Sequence, residues 1–138
     1  MKLRSLSFIT LVLTAAFAVL AACGTGASGD PLSGTSWNLA SVDGAAALPD
    51  VKVTAVFKDG QVSGTGGCNS YGGKYRVSGE KLEISEVVST LMACSGEGIM
   101  DQESSFLGGL DKAKSFTLSD GKLEIGTSDG KTLVFAPG

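Results

Sequence analysis

Beyond Ser33, apolar and polar residues alternate with a period of two along most of the chain, the pattern of strands that bury one face. Val51, Val53, Ala55 and Phe57 point one way, and Trp37 and Leu39 share a face in Thr35–Val42. Shorter alternating runs follow at Gln61–Gly64, Lys74–Val77, Lys81–Ile84, Ser115–Leu118, Lys122–Ile125 and Thr132–Phe135. Val87–Ala93 reads as a further, more apolar strand. Asp59-Gly60, Asp120-Gly121 and Asp129-Gly130 separate flanking runs. Such pairs supply the positive φ angles of tight hairpins. Ser78-Gly79-Glu80 marks another.

One segment departs from this period. Between Glu97 and Lys112, Ile99, Met100, Phe106, Leu107 and Leu110 fall near one helical face, with Ser95 as the expected N-cap. Gly108 and Gly109 weaken the helix toward its end. The expected fold is therefore mainly β (α+β). It is a single small antiparallel meander, barrel-like, of about eight or nine strands, with one helix covering an open edge or end.

The N-terminus follows other rules. Lys2 and Arg4 precede the uncharged, apolar Leu6–Leu20, and the segment ends at Leu20-Ala21-Ala22-Cys23. That is a secretory signal peptide over residues 1–22, too short and too abruptly ended for a transmembrane helix. The tetrapeptide resembles the bacterial lipobox, which makes Cys23 the expected lipidation site, carrying chains such as palmitate. Residues 23–32 are then the lipidated cysteine and a flexible tether, and residues 33–138 the domain. Each buried methylene contributes about 0.8 kcal/mol, so two or three chains hold the protein on a bilayer outside the cytoplasm.

Removal of residues 1–22 leaves nine basic against fourteen acidic residues, a net charge of −5. No basic cluster is visible in the sequence, which argues against nucleic acid as a partner and against adhesion to anionic lipid by charge alone. The chain has no histidine. Ser-His-Asp and Cys-His catalysis and His-containing zinc sites are thereby excluded.

Gly64–Gly73 holds five glycines in ten residues, with Cys68 inside. A phosphate cradle fails because Lys74 is followed by Tyr75 and no helix follows. A dinucleotide fingerprint fails at Asn69, where its third glycine should stand. A catalytic thiol at Cys68 lacks a base and a CxxC partner. In an oxidising compartment the remaining pair, Cys68 and Cys94, is expected to form a disulfide. It closes a loop of about 27 residues, for which chain entropy gives roughly 3.6 kcal/mol.

Gly66-Gly67-Cys68-Asn69-Ser70-Tyr71, Ser89-Thr90-Leu91-Met92-Ala93-Cys94 and the early Trp37 resemble the META domain of HslJ-like bacterial lipoproteins. The spaced Glu103, Phe106 and Leu110 do so too, and the likeness spans Ser33–Phe135. Leu91 stands where that family often carries a basic residue. The resemblance implies a small β-rich envelope domain linked to heat-shock and drug-resistance phenotypes, with no catalytic residue to transfer. It implies structural roles for Trp37 (core), Gly66, Gly67, Asn69 (a backbone-satisfying turn residue), Tyr71 and Thr90, and a bridge between Cys68 and Cys94.

Asp43, Asp50, Asp59, Asp120 and Asp129 lack the spacing of a calcium loop, so no metal and no cofactor are expected. Tyr75, with Trp37 and Tyr71, is a candidate for lining a ligand cavity. The functional expectation is a monomeric, membrane-anchored, non-enzymatic module that binds an envelope protein or ligand. Alternatives are a small apolar-ligand carrier and an inhibitor of a cell-wall hydrolase. The first calls for an apolar cavity, the second for a protruding loop with a polar tip.

Overall fold

Asp-Gly pairs set the hairpins. In the computed structural model, which describes residues 29–138, Asp59 and Gly60 have φ of 50° and 77°, and Asp120 and Gly121 have 51° and 70°. Two successive positive φ angles match the right-handed twist of the strands they join. Asp43 and Gly44 do the same at 49° and 80°, producing a hairpin that the alternation does not announce. The expected signal peptide, the lipidation of Cys23 and most of the tether lie outside the described residues.

The strands are β1 (Thr35–Val42), β2 (Ala45–Ala46), β3 (Thr54–Lys58), β4 (Gln61–Thr65), β5 (Ser70–Ser78) and β6 (Lys81–Ser89). After the helix α1 (Ile99–Asp111) come β7 (Ala113–Ser119), β8 (Lys122–Thr127) and β9 (Thr132–Pro137). Apart from the short β2, which pairs only with β1, each strand lies antiparallel to its neighbour along the chain. Pairing of β1 with β9, from Trp37 opposite Pro137 to Val42 opposite Leu133, closes the sheet. Among the described residues the result is a closed eight-stranded antiparallel barrel with one extra strand and a single helix. Closure removes the free edges that an open meander would expose.

The barrel is filled by its own side chains. Phe57, Val62, Leu82, Leu123, Ile125, Leu133 and Phe135 are buried inside it. At the end formed by the β3–β4 turn, Leu32 is fully buried, and the Gly34 amide donates to the Phe57 carbonyl at 2.8 Å. The sequence pattern puts Leu32 at the end of the tether, whereas the fold makes it the plug of the barrel. At the opposite end α1 lays Phe106 and Leu110 over the opening, with Phe106 edge-on to Tyr71 and Phe135. Among the described residues, all buried apolar residues lie between Leu32 and Phe135.

Three local expectations change. Val87–Ala93 is no separate strand: β6 runs on to Ser89 through a kink at Glu86, where φ is 54°, and Thr90–Ser95 is irregular. The helix begins at Ile99, and its N-cap is Gly98 in a left-handed conformation, with no side-chain cap. Ser95 therefore stands outside it. Gly109 lies inside α1 for a packing reason, since a Cβ there would sit 3.0 Å from Leu133 Cδ2.

Candidate functional site

The residues of the glycine-rich stretch gather at the helix-covered end, around one carboxylate. Glu103 is on the face of α1 shared with Phe106 and Leu110, and it is 4% exposed. Its Oε2 accepts from the backbone amides of Cys68 at 2.9 Å and Asn69 at 2.6 Å. Its Oε1 accepts from Asn69 Nδ2 at 2.6 Å. Burial pushes the Glu103 carboxyl up, but these three hydrogen bonds outweigh it and hold the carboxyl below its ordinary value. Among the described residues no cation pairs with it; oriented N–H dipoles hold the charge.

The β4–β5 loop is shaped to receive this side chain. A Cβ on Gly66 would lie 2.8 Å from Glu103 Cγ and Oε2, so only glycine leaves the carboxylate room. Gly67 has φ of 118°, and a Cβ there would meet Val51 Cγ1 at 2.9 Å. The loop also closes on itself, because the Gly66 amide donates to the Asn69 carbonyl at 2.8 Å.

Asn69 carries the network outward. Its Oδ1 accepts from Thr90 Oγ1 at 2.8 Å and from the Met92 amide at 2.7 Å, and its Nδ2 also donates to the Met92 carbonyl at 3.1 Å. The side-chain amide thus pairs with both backbone groups of Met92, as a neighbouring strand would. The Thr90 amide donates to the Ser70 carbonyl at 3.0 Å. Two residues beyond Met92, Cys94 is bonded to Cys68, with Cα atoms 5.8 Å apart. The Thr90–Cys94 loop is held by a covalent bond and a side-chain amide, and it leaves Leu91 96% exposed and Met92 56% exposed.

The structure places the other singled-out residues as follows. Gly66, Gly67, Cys68, Asn69, Thr90 and Cys94 converge on this site. Tyr71 adjoins it, donating its hydroxyl to the Thr54 carbonyl at 2.8 Å, and burial pushes its phenol pKa up. Trp37 is buried in the barrel wall, with Nε1 donating to Thr35 Oγ1 at 2.7 Å. Tyr75 is at the Leu32 end, packed edge-on against Phe57 and hydrogen-bonded to Asp30. Burial first, and then Asp30, push the Tyr75 phenol up to about 12. Asp129 accepts from Lys112 Nζ and Thr127 Oγ1 in its own turn. Asn69 satisfies backbone groups, as the resemblance implies, but those of the loop facing it rather than of its own turn. Glu103 is the centre that reading the residues alone passes over. Its spacing with Phe106 and Leu110, three and seven residues on, is the one sign that a carboxylate shares the buried face.

A family model described as the META domain matches residues 30–138. The chain belongs to the META domain family. Among solved structures, this META domain is similar to a protein from Burkholderia xenovorans determined by NMR, with 28% identity and a TM-score of 0.63 over 78% of this chain and 83% of that one. A second NMR structure has 21% identity and a TM-score of 0.64, covering 77% of this chain and 91% of the other. A crystal structure of a DUF4847 family protein from Bacteroides vulgatus shares the fold at 15% identity, with a TM-score of 0.56 over 77% and 94% of the two chains. No curated protein matches.

Proposed function

We propose that this META domain is a lipid-anchored, non-enzymatic module of the cell envelope that binds another envelope protein through the Thr90–Cys94 loop. The observation that supports this reading is Leu91. A large apolar side chain stands 96% exposed on a loop fixed by the Cys68–Cys94 bond and by Asn69. Rigid apolar anchors of this kind bind with little ordering cost. Val88, 69% exposed, and Met92 extend the apolar surface.

The two ends of the barrel have different uses in this reading. The chain enters at Asp30, beside Tyr75 at the Leu32 end, whereas the loop lies at the helix end. A lipid on Cys23 would hold the first end toward the bilayer and leave Leu91 facing away from it. A link to stress or drug tolerance would then run through the partner. The loop has an apolar tip, which favours a partner with an apolar cleft over the polar-tipped contact expected of a hydrolase inhibitor. The barrel interior is filled from both ends, which disfavours a carrier that encloses its ligand.

The test is crosslinking and pull-down from intact cells, with Leu91→Glu and Cys23→Ser variants. Leu91→Glu is expected to keep stability within about 0.5 kcal/mol, as for other exposed positions, and to lose the crosslinked partner. Cys23→Ser is expected to move the protein from membranes to the soluble fraction. An unchanged crosslinking pattern in Leu91→Glu would remove the loop from the proposal, and retained membrane association in Cys23→Ser would remove the anchor.

A further inference from the structure

The seam between β6 and β7 is the weakest line of the barrel. These strands pair at one register position, Lys81 opposite Ser115, with the Phe116 amide donating to the Glu80 carbonyl at 2.9 Å. Every other adjacent pair of barrel strands shares three or more positions. A register shift in β7 between Ala113 and Ser115 accompanies the separation. A groove of about 470 Å³ opens there.

The groove has two kinds of wall. The half-buried Val77 and Ala113 supply apolar surface over the buried Leu82, and Arg76, Lys81 and Lys114 stand around it. Glu83 is the one acidic residue that lines it. Among the described residues the ion pairs are Lys74–Glu86 and Lys112–Asp129, so none of the three cations is paired. The sequence carries more acidic than basic residues, and it shows no basic cluster because these three come from three strands. The fold gathers them.

We propose that this groove binds one molecule of a single-chain amphiphile with an anionic head. The head lies among Arg76, Lys81 and Lys114, and the first methylenes lie on Val77 and Ala113, over Leu82. The volume falls within the range of small-molecule sites. Long basic side chains suit both parts of such a ligand, since their methylene stems cover apolar surface while their heads stay in water. An acidic peptide would satisfy the cations but offers no continuous run of methylenes to the apolar wall. The groove lies toward the Ser78–Lys81 turn, at the far end of β5 and β6 from the Thr90–Cys94 loop, and does not depend on the function proposed for that loop.

The experiment uses residues 29–138, which hold the barrel, the helix and the whole META match, titrated with dodecanoate below its micelle concentration. Binding is followed by calorimetry and by amide NMR shifts, with dodecanol, inorganic phosphate and an oligoglutamate peptide in parallel. The expected result is saturable one-to-one dodecanoate binding, with the largest shifts at Val77, Leu82 and Ala113. Dodecanol and phosphate should each bind at least about tenfold more weakly. The triple variant Arg76→Gln, Lys81→Gln, Lys114→Gln should lose at least about tenfold in affinity at an unchanged melting temperature. Should that variant melt lower, the single exposed change Lys114→Glu must show a reduced affinity in its place. Absence of saturation would overturn the proposal, as would shifts centred on Leu91 and Met92. So would equal affinity for dodecanol, phosphate or the peptide, or unchanged affinity in variants that keep their stability.

Discussion

Glu103 shows how one buried charge can organise a loop. An unpaired carboxylate in a protein interior is costly, and three hydrogen bonds from Cys68 and Asn69 offset that cost here. Glu103→Gln replaces one acceptor oxygen by a donor facing N–H groups. It is expected to destabilise the domain by about 2–3 kcal/mol, the scale of a hydrogen bond to a charged group, in denaturant unfolding. The pH dependence has a definite sign. Because the folded-state pKa is lowered, the stability contributed by ionised Glu103 is fully present above its unfolded value near 4.5. It is lost as pH falls through the lowered folded value. Glu103→Gln should flatten this acid-side loss, and an unchanged pH profile would contradict the assignment. Asn69→Asp has the opposite signature. A second carboxylate against Glu103 raises the pKa of the pair, so the variant should be destabilised at neutral pH by about 3 kcal/mol or more and regain part of that stability on acidification.

At the scale of elements, two turns of different origin meet. The β4–β5 loop owes its path to Gly66 and Gly67, and the β6–α1 connection owes its path to Asn69 and to Cys94. Their covalent link closes 27 residues, counting both cysteines. Replacing both by serine is expected to cost about 2–4 kcal/mol in equilibrium unfolding. Amide exchange should rise first in Thr90–Cys94, because only the hydrogen bonds to Asn69 and Ser70 would then hold the loop. Uniform exchange throughout the chain would contradict a local role. The hairpins at Asp59-Gly60 and Asp120-Gly121 were legible in the sequence because positive φ is a property of the turn residues themselves. The irregular path of Thr90–Cys94 was not. Its apolar run suits a strand, and the Asn69 side chain takes the place that a paired strand would fill.

For the whole molecule, the barrel is closed at its ends by elements that are not part of its wall. Leu32 fills one end and α1 the other. Leu32→Ala should cost about 2–5 kcal/mol, as for other fully buried leucines, measured by thermal or denaturant unfolding. A change below about 0.5 kcal/mol would mean that residues 30–33 do not belong to the core. The tether pattern hides this role, because one leucine after a run of small residues carries no period. Trp37, Phe57 and Phe135 were legible as core because each sits in an alternating run. The β6–β7 groove was invisible, because its cations are spread over three strands.

By itself the sequence determined the strand periods, the Asp-Gly turns, the single helix and the exclusion of histidine chemistry. All of these depend on residue type and near neighbours. The resemblance of its two cysteine-bearing motifs determined the family. Tertiary structure decided which strands close the barrel, that Leu32 plugs it, and that Glu103 lies against Gly66. It also decided that Leu91 faces solvent and that three dispersed cations share one groove. Each of those depends on contacts between residues distant in the chain, and such contacts leave no period in the sequence.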